Sequence, residues 1–357
     1  MATTEQILNA LKAVQDPDLK RDIVSLGFVK DVTVTGGRVA FTIELTTPAC
    51  PVRDLMRDEA RAAVAKLSGV SQVEVAMTSQ VRTSIPTQSA GGLIPTIKNV
   101  VPIASGKGGV GKSTVSANLA LALAKSGARV GLMDADVYGP SIPTLLGMTS
   151  QPEVDEKNRL TPVEQEGLKV ISMGFFMKPE EAVVWRGPML HKTVQQFLGG
   201  VEWGELDYLL CDLPPGTGDV QLSLCQSIPI TGAVIVSTPQ DVALNVAQKA
   251  IAMFKKLNAP ILGIIENMSA YVCPHCGKRD EIFGTGGARK VAERLNIPFL
   301  GEIPLSTPIR VASDAGKPIV LTDPDSAAAK AFVAAAEALA AQASIRAMSQ
   351  EQVKVTF

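Results

Sequence analysis

Aromatic side chains are scarce in this 357-residue chain, where Phe, Tyr and Trp together make up 4%. Too few remain to build the stacked-base platforms that hold single-stranded nucleic acid. Neither sign of charge is in excess. Lys plus Arg number 34 and Asp plus Glu 35, a formal net charge of −1, so the basic surplus of a protein that coats DNA or an anionic membrane is missing. Cysteine occurs only five times, at positions 50, 211, 225, 273 and 276. That number is too small, and odd, for a disulfide-stapled secreted scaffold. No uninterrupted apolar run reaches the ~18 residues of a membrane span. The longest candidate, 327–343, is Ala-rich and interrupted by Lys330 and Glu337, and is expected to be a packing helix. Residues 1–6 lack the basic and apolar regions of a signal peptide, so a reducing, cytoplasmic location is expected. Histidine is nearly absent: His191 lies on an expected helix, and His275 sits between two cysteines.

What is present is ordinary globular composition, 46% apolar and 19% charged, in a length that suggests about two domains. The composition breaks near residue 85. Residues 1–85 read as a small α+β unit, 86–96 as a linker rich in Pro, Ser and Gly, 97–345 as the main domain and 346–357 as a polar tail. In the small unit, Ile7, Leu8, Leu11 and Val14 have helical spacing, and two alternating runs flank the hairpin dipeptide Gly36-Gly37. In the main domain seven short apolar runs begin near Val100, Val130, Val170, Tyr208, Val234, Ile261 and Phe299, separated by helix-length segments. Such runs predict an α/β fold with a buried parallel sheet covered on both faces.

Gly106-Lys107-Gly108-Gly109-Val110-Gly111-Lys112-Ser113 fits a phosphate-binding loop. Its glycines let backbone N–H groups turn toward phosphate oxygens, and the helix that follows aims its positive end at the same anion. Lys112 is placed to reach the β- and γ-phosphates and Ser113 to ligate Mg²⁺. Asp212 ends an apolar run where a carboxylate can hold Mg²⁺ through water, and the loop 213–218 follows it. Asp134 and Asp136 close the run after the loop's helix, where a carboxylate can orient water or help hold the metal. Each acid alone could equally cap a helix, but three in order favour a nucleotide site.

Cys273-Pro274-His275-Cys276-Gly277 is a knuckle whose turn brings two thiols together and aims backbone N–H groups at sulfur. Two thiolates are half of the usual ligand set. Two-fold symmetry would complete it, giving a site suited to a 4Fe–4S cluster or Zn²⁺. A redox dithiol and a pair of structural thiols remain alternatives.

The second lysine, Lys107, makes Lys107–Thr114 resemble the deviant Walker A loop of the ParA/MinD/nitrogenase-iron-protein class. Together with 212–219, 133–141, 185–189 and Glu266-Asn267-Met268-Ser269 before the knuckle, residues 97–345 resemble the Mrp/ApbC family of iron–sulfur cluster carrier ATPases. Residues 16–19, 23–27 and 46–51 make the N-terminal unit resemble the small iron–sulfur-assembly domain fused to bacterial members. The resemblance implies a SIMIBI-type P-loop NTPase and a homodimer that uses ATP and Mg²⁺. It also implies a labile 4Fe–4S cluster, taken from a donor and passed to apoproteins, with no nucleic-acid or membrane partner. On that resemblance Gly106, Lys107, Gly108, Gly109, Val110, Gly111, Lys112, Ser113 and Thr114 bind nucleotide, and Asn267 contacts adenine. Lys107 would reach across the dimer, Lys112 and Asp136 would act in hydrolysis, and Ser113 and Asp212 would hold Mg²⁺. Cys273 and Cys276 would share the cluster with a second subunit. Cys50 stays open between cluster handover and a buried small residue at a helix start. The competing readings are a ParA/MinD-type positioning ATPase and a zinc-bridged regulatory ATPase.

Overall fold

The computed structural model describes residues 2–85, 92–177, 187–273 and 275–355, with side chains through residue 349. Trp185 and Arg186 therefore lie outside the described residues, as does most of the expected linker. The chain divides into two compact units, Met1–Arg82 with Met348–Phe357, and Thr83–Ala347.

The first unit opens with α1 (Thr4–Leu11), whose Thr3 and Gln6 form a reciprocal capping box. Two-residue strands β1 (Gln15–Asp16) and β2 (Arg21–Asp22) pair next. The sheet is β3 (Val29–Thr35), β4 (Arg38–Leu45) and, after α2 (Arg53–Ala65), β5 (Gln72–Ser79), in the order β3-β4-β5. Gly36 and Gly37 take φ of 57° and 85° at the β3–β4 turn, the conformation a tight hairpin requires. Ile7, Leu11, Phe41, Ile43, Met56 and Val64 fill the core.

The second unit is built on a nine-stranded sheet. Its strands are β6 (Val100–Ser105), β7 (Val130–Asp134), β10 (Val163–Gln165), β11 (Leu168–Ser172), β12 (Tyr208–Asp212), β13 (Ala233–Ser237), β14 (Ile261–Val272), β15 (Arg279–Asp280) and β16 (Phe299–Leu305). A separate pair, β8 (Glu153–Val154) and β9 (Leu160–Thr161), lies outside it. The order is β10-β11-β7-β12-β6-β13-β14, with β15 and β16 both on β14. All seven apolar runs became strands, and these seven pair in parallel. Only β10 and β15 run antiparallel in this sheet. Their two or three residues are too few to show a periodicity in sequence.

The helices are α3 (Lys112–Lys125), α4 (Ile142–Leu145), α5 (Gly187–Gly199), α6 (Asp219–Ser227), α7 (Asp241–Lys256), α8 (Gly287–Leu295), α9 (Thr307–Asp314), α10 (Ile319–Thr322) and α11 (Ala327–Val355). From β6 the chain passes through α3 to β7, leaving room for β12 between them, while β13 takes the other side of β6. Such a switch point opens a crevice at the carboxyl ends of the strands. The loop 106–111 sits there. Helix α3 is buried nearly all round from Val115 to Leu123, as a central helix of this architecture must be.

Two boundaries differ from the sequence reading. The second unit begins at Thr83, before the compositional break. Ser84 is buried and its hydroxyl donates to Asn99 Oδ1 (2.8 Å), while Ile85 joins the apolar core. The expected polar tail from 346 is instead the continuation of α11, which runs to Val355 and buries Ala347 completely. Its first part, 327–343, is the packing helix expected, with Phe332, Ala336, Leu339 and Ala340 at 0% exposure. By length and composition alone 327–349 would suffice to cross a membrane, but 56% of that window is buried against the protein.

Candidate nucleotide site and thiol hairpin

The loop after β6 is shaped by four glycines with different reasons to be glycine. A Cβ on Gly106 would lie 2.4 Å from the backbone of Val246 in α7. Gly109 and Gly111 both take φ of 79°, a left-handed conformation costly to side-chain residues. Gly108 has neither constraint, its nearest neighbour being Pro215 at 3.9 Å. Gly111 is also the N-cap of α3, and no side chain occupies the helix's free N–H groups.

Asp212 organises what surrounds the loop. It is fully buried at the end of β12, beside β6 and β7. Its Oδ2 accepts from Lys112 Nζ (2.7 Å) and Ser113 Oγ (2.6 Å), and its Oδ1 from Ser116 Oγ (2.6 Å). Asp136 Oδ2 lies 3.7 Å from the same ammonium. Burial holds the Asp136 carboxyl above its ordinary range, opposed by the Lys112 charge. Asp134, at the end of β7, is pushed up to about 7 by burial and by the charge of Asp212. Its Oδ1 accepts from Asp136 N (3.2 Å), and its Oδ2 from Ser172 Oγ (2.8 Å) and Ile142 N (3.2 Å), so it fixes the loop that carries Asp136.

Most of the expected nucleotide residues are therefore gathered at one strand edge. Lys107 is half-exposed, with Ser105 Oγ donating to its carbonyl (3.0 Å). Asn267, expected at an adenine, is buried with Nδ2 donating to Val110 O (2.8 Å), so its amide braces the phosphate loop. Three residues escaped the sequence reading. Ser116 stands one helical turn after Lys112, a spacing that signals a shared face once Lys112 is singled out. Ser172 carried no signal. Gln221, fully buried in α6, donates from Nε2 to Pro214 O (2.7 Å) and Gly216 O (3.2 Å) and so shapes the loop after Asp212.

The cysteine pair forms the tip of a hairpin between β14 and β15. Tyr271 and Val272 pair with Asp280 and Arg279, and Cys273 N donates to Lys278 O (3.0 Å). Backbone N–H groups of His275 and Cys276 point at the Cys273 sulfur and hold its thiol below the ordinary range, aided by Cys276. Cys276 and His275 are exposed, and Gly277 turns the chain at φ of 69°. A hairpin is not the helix start that a thioredoxin-like dithiol uses. Among the described residues no group of three or more His, Cys, Asp or Glu could hold a metal. Cys211 is buried in β12 and Cys225 is half-buried in α6, and burial pushes both thiols up, Cys225 to about 11. Cys50 is half-buried two residues before the N-cap of α2, against the first unit's core. His191 is half-buried on α5.

A family model for the NUBPL iron-transfer P-loop NTPases matches residues 96–340, more than half of the chain. The chain belongs to this family. A second model, for an iron–sulfur cluster assembly protein, matches residues 4–76. Iron–sulfur cluster carrier proteins of Synechocystis sp. and Deinococcus radiodurans are 47% and 49% identical to it. Each alignment covers 98% of this chain, and 100% and 99% of those proteins. Among solved structures, a nucleotide-binding protein of Archaeoglobus fulgidus in complex with ADP has a TM-score of 0.57 at 42% identity, covering 65% of this chain and 92% of its own. The cell-division ATPase MinD of Pyrococcus furiosus has a TM-score of 0.52 at 26% identity, covering 67% and 97%. These likenesses agree with the parallel sheet and loop described above: the family member is a P-loop NTPase with an appended iron–sulfur-assembly domain.

Proposed function

We propose that this protein binds and slowly hydrolyses ATP while carrying a 4Fe–4S cluster between two copies of the chain, and passes that cluster to apoproteins in the cytoplasm. The observation that carries the reading is the thiol hairpin. In an iron-transfer family, two thiols, one of them facing backbone N–H donors, stand just past the end of a strand that also touches the phosphate loop. Two thiols satisfy half of a cubane's iron sites, and a second copy related by two-fold symmetry supplies the rest. Neither nucleic acid nor membrane enters this reading, and the same pair of thiols disfavours a MinD-like positioning role.

The donor set suits Mg²⁺. Ser113 and Asp212 present hard oxygen donors side by side and would hold the ion together with phosphate oxygens and water. Bound there, Mg²⁺ would neutralise charge on the phosphates. The chain's own residues do the rest. Backbone N–H groups of 106–114 cradle the phosphates, Lys112 exchanges its bond to Asp212 for phosphate oxygens, and Asp136 orients water. Lys107, free of the carboxylate cluster, is available to a nucleotide on the second copy. Catalysis of this kind relies on positioned charge rather than a strong base.

The test is anaerobic reconstitution with iron and sulfide, followed by iron and sulfide counting and light scattering. Four irons and four sulfides per dimer are expected, with loss of the cluster when Cys273 and Cys276 are replaced by Ala. A colourless monomer, or a cluster that survives the double replacement, overturns the reading. Zinc without sulfide would mark the zinc-bridged alternative. Phosphate release should vanish in Lys112→Ala.

A further inference from the structure

The phosphate loop and the thiol hairpin are joined by one strand, and that strand is irregular between them. Asn267 and Met268 of β14 both lie against Gly111: a Cβ there would be 2.3 Å from Asn267 Nδ2 and 3.5 Å from Met268 Cε. Asn267 donates to the carbonyl of Val110, the preceding residue. Met268 takes φ of 57°, a left-handed conformation within a strand that an unbranched side-chain residue adopts only when its surroundings impose it. The pairing with β16 slips at the same place. Asn267 faces Ile303 and Tyr271 faces Leu305, so β14 takes four steps where β16 takes two. Ser269 Oγ, inside this bulge, donates to Ile303 O (3.2 Å). Past the bulge the strand ends at Val272, half-exposed, and the next residue is Cys273.

Resting on the function proposed above, we propose that the bulge at 268–270 couples the two sites, with Met268 as the positioning residue through which the phosphate loop sets the placement of the thiols. A phosphate that draws the N–H groups of the loop inward moves the Val110 carbonyl and Gly111. Asn267 follows its hydrogen bond, and Met268 follows its contact. A bulge has discrete registers rather than continuous give. Strain at Met268 lowers the cost of leaving the present one. The exposed hairpin has little packing of its own to absorb the shift, so the displacement appears at Cys273 and Cys276. Linkage makes the effect mutual: whatever the thiols hold changes nucleotide affinity by the same factor.

The test needs no cluster. Full-length reduced protein is alkylated with iodoacetamide, and labelling of Cys273 and Cys276 is timed by mass spectrometry without nucleotide and with Mg²⁺ and a non-hydrolysable ATP analogue. Nucleotide should change the wild-type rate by about fivefold or more, the lower end of ordinary site-to-site coupling. Met268→Gly is at ease at φ of 57°, so it should fold and still bind the analogue, yet its rate ratio should fall close to one. Met268→Ala keeps the backbone conformation but loses the contact with Gly111, and its ratio should at least halve. It decides the matter if the glycine variant does not fold. A wild type that binds the analogue without any change in labelling overturns the coupling, as do variants that keep the full ratio. A wild type that binds no nucleotide instead sinks the function proposed above.

Discussion

Four glycines of one loop make a graded prediction, because the structure gives each a different environment. Replace each in turn by Ala. At Gly106 the new Cβ meets Val246 C at 2.4 Å, Ala247 N at 2.5 Å and Val246 O at 2.7 Å, all backbone. An ordinary contact begins near 3.4 Å, so loop and helix must part by about 1.0 Å. Helix α7 cannot yield cheaply, since Ala243, Leu244, Ala247, Ile251 and Phe254 are buried on its inner face. Overpacking of this kind costs ~1–3 kcal/mol, and a rigid backbone opponent puts Gly106→Ala at the upper end. Gly111→Ala is strained by its φ of 79° at ~1–2 kcal/mol, and it also displaces the Asn267 amide 2.3 Å away. Gly109→Ala carries the φ cost alone. Gly108→Ala has open space and a permissible backbone, and should cost less than ~0.5 kcal/mol. Guanidinium unfolding followed by tryptophan fluorescence is the assay. Trp203 is buried in the second unit and the sequence of the first contains no tryptophan, so the signal does not report the first unit. The midpoints should fall in the order Gly108, Gly109, Gly111, Gly106. A Gly106→Ala midpoint equal to that of Gly108→Ala would refute the steric argument.

Three further outcomes follow from the charges. Asp212→Ala leaves the buried Lys112 ammonium with the Ser113 hydroxyl (3.2 Å) and a single, more distant carboxylate, Asp136 at 3.7 Å. It should cost ~3 kcal/mol or more in the same unfolding assay and abolish Mg²⁺-dependent phosphate release. Asp134 is pushed up to about 7 in the folded protein from an ordinary carboxyl value of 3.8, so between those values the native state keeps a proton that the unfolded chain has lost. Its contribution is therefore present below about 4 and is lost as pH rises toward about 7. Asp134→Asn should remove that slope, so that denaturation midpoints of variant and wild type diverge progressively as pH rises. Cys273, held below the ordinary thiol range by two N–H donors, should alkylate in the nucleotide-free protein at lower pH than free cysteine in solution. Replacing Cys276 by Ala, which removes the side-chain donor, should move the Cys273 rate profile toward higher pH, read peptide by peptide in the mass spectrum.

The legible parts of this molecule are those where physics leaves few choices of residue. Strands buried on both faces must be short, continuous and apolar, so Val100, Val130 and Tyr208 announce β6, β7 and β12. A backbone cradle for phosphate must use glycine wherever a φ is positive or a helix presses close. The parts that stayed hidden are those where a residue's partner lies far away in sequence. Nothing local distinguishes Ser172 from a surface serine until β11 is laid beside β7, which brings its hydroxyl to Asp134. Ser84 looks like the end of the small N-terminal unit until its hydroxyl is found between Asn99 and Thr231. The last turns of α11 are polar in composition, and composition alone does not show that such a segment continues a helix.

The most instructive element is β14, where the apolar run stops at Ile265 but the strand continues through the polar Glu266-Asn267-Met268-Ser269 to Val272. A buried polar side chain is tolerable only with a partner, and each of these has one outside its own strand. Glu266 accepts from the N–H groups of Gly286 and Ala288 and so caps α8 (2.8 and 2.7 Å). Asn267 holds the phosphate loop, and Ser269 holds β16. Three attachments, from Glu266, Asn267 and Ser269, hold the strand to the fold in three directions on the near side of Cys273. A strand so anchored can carry an exposed hairpin outward without fraying. The departure from apolar patterning is thus the physical requirement of the site itself: the residues that break the pattern connect the place where phosphate binds to the place where sulfur is presented.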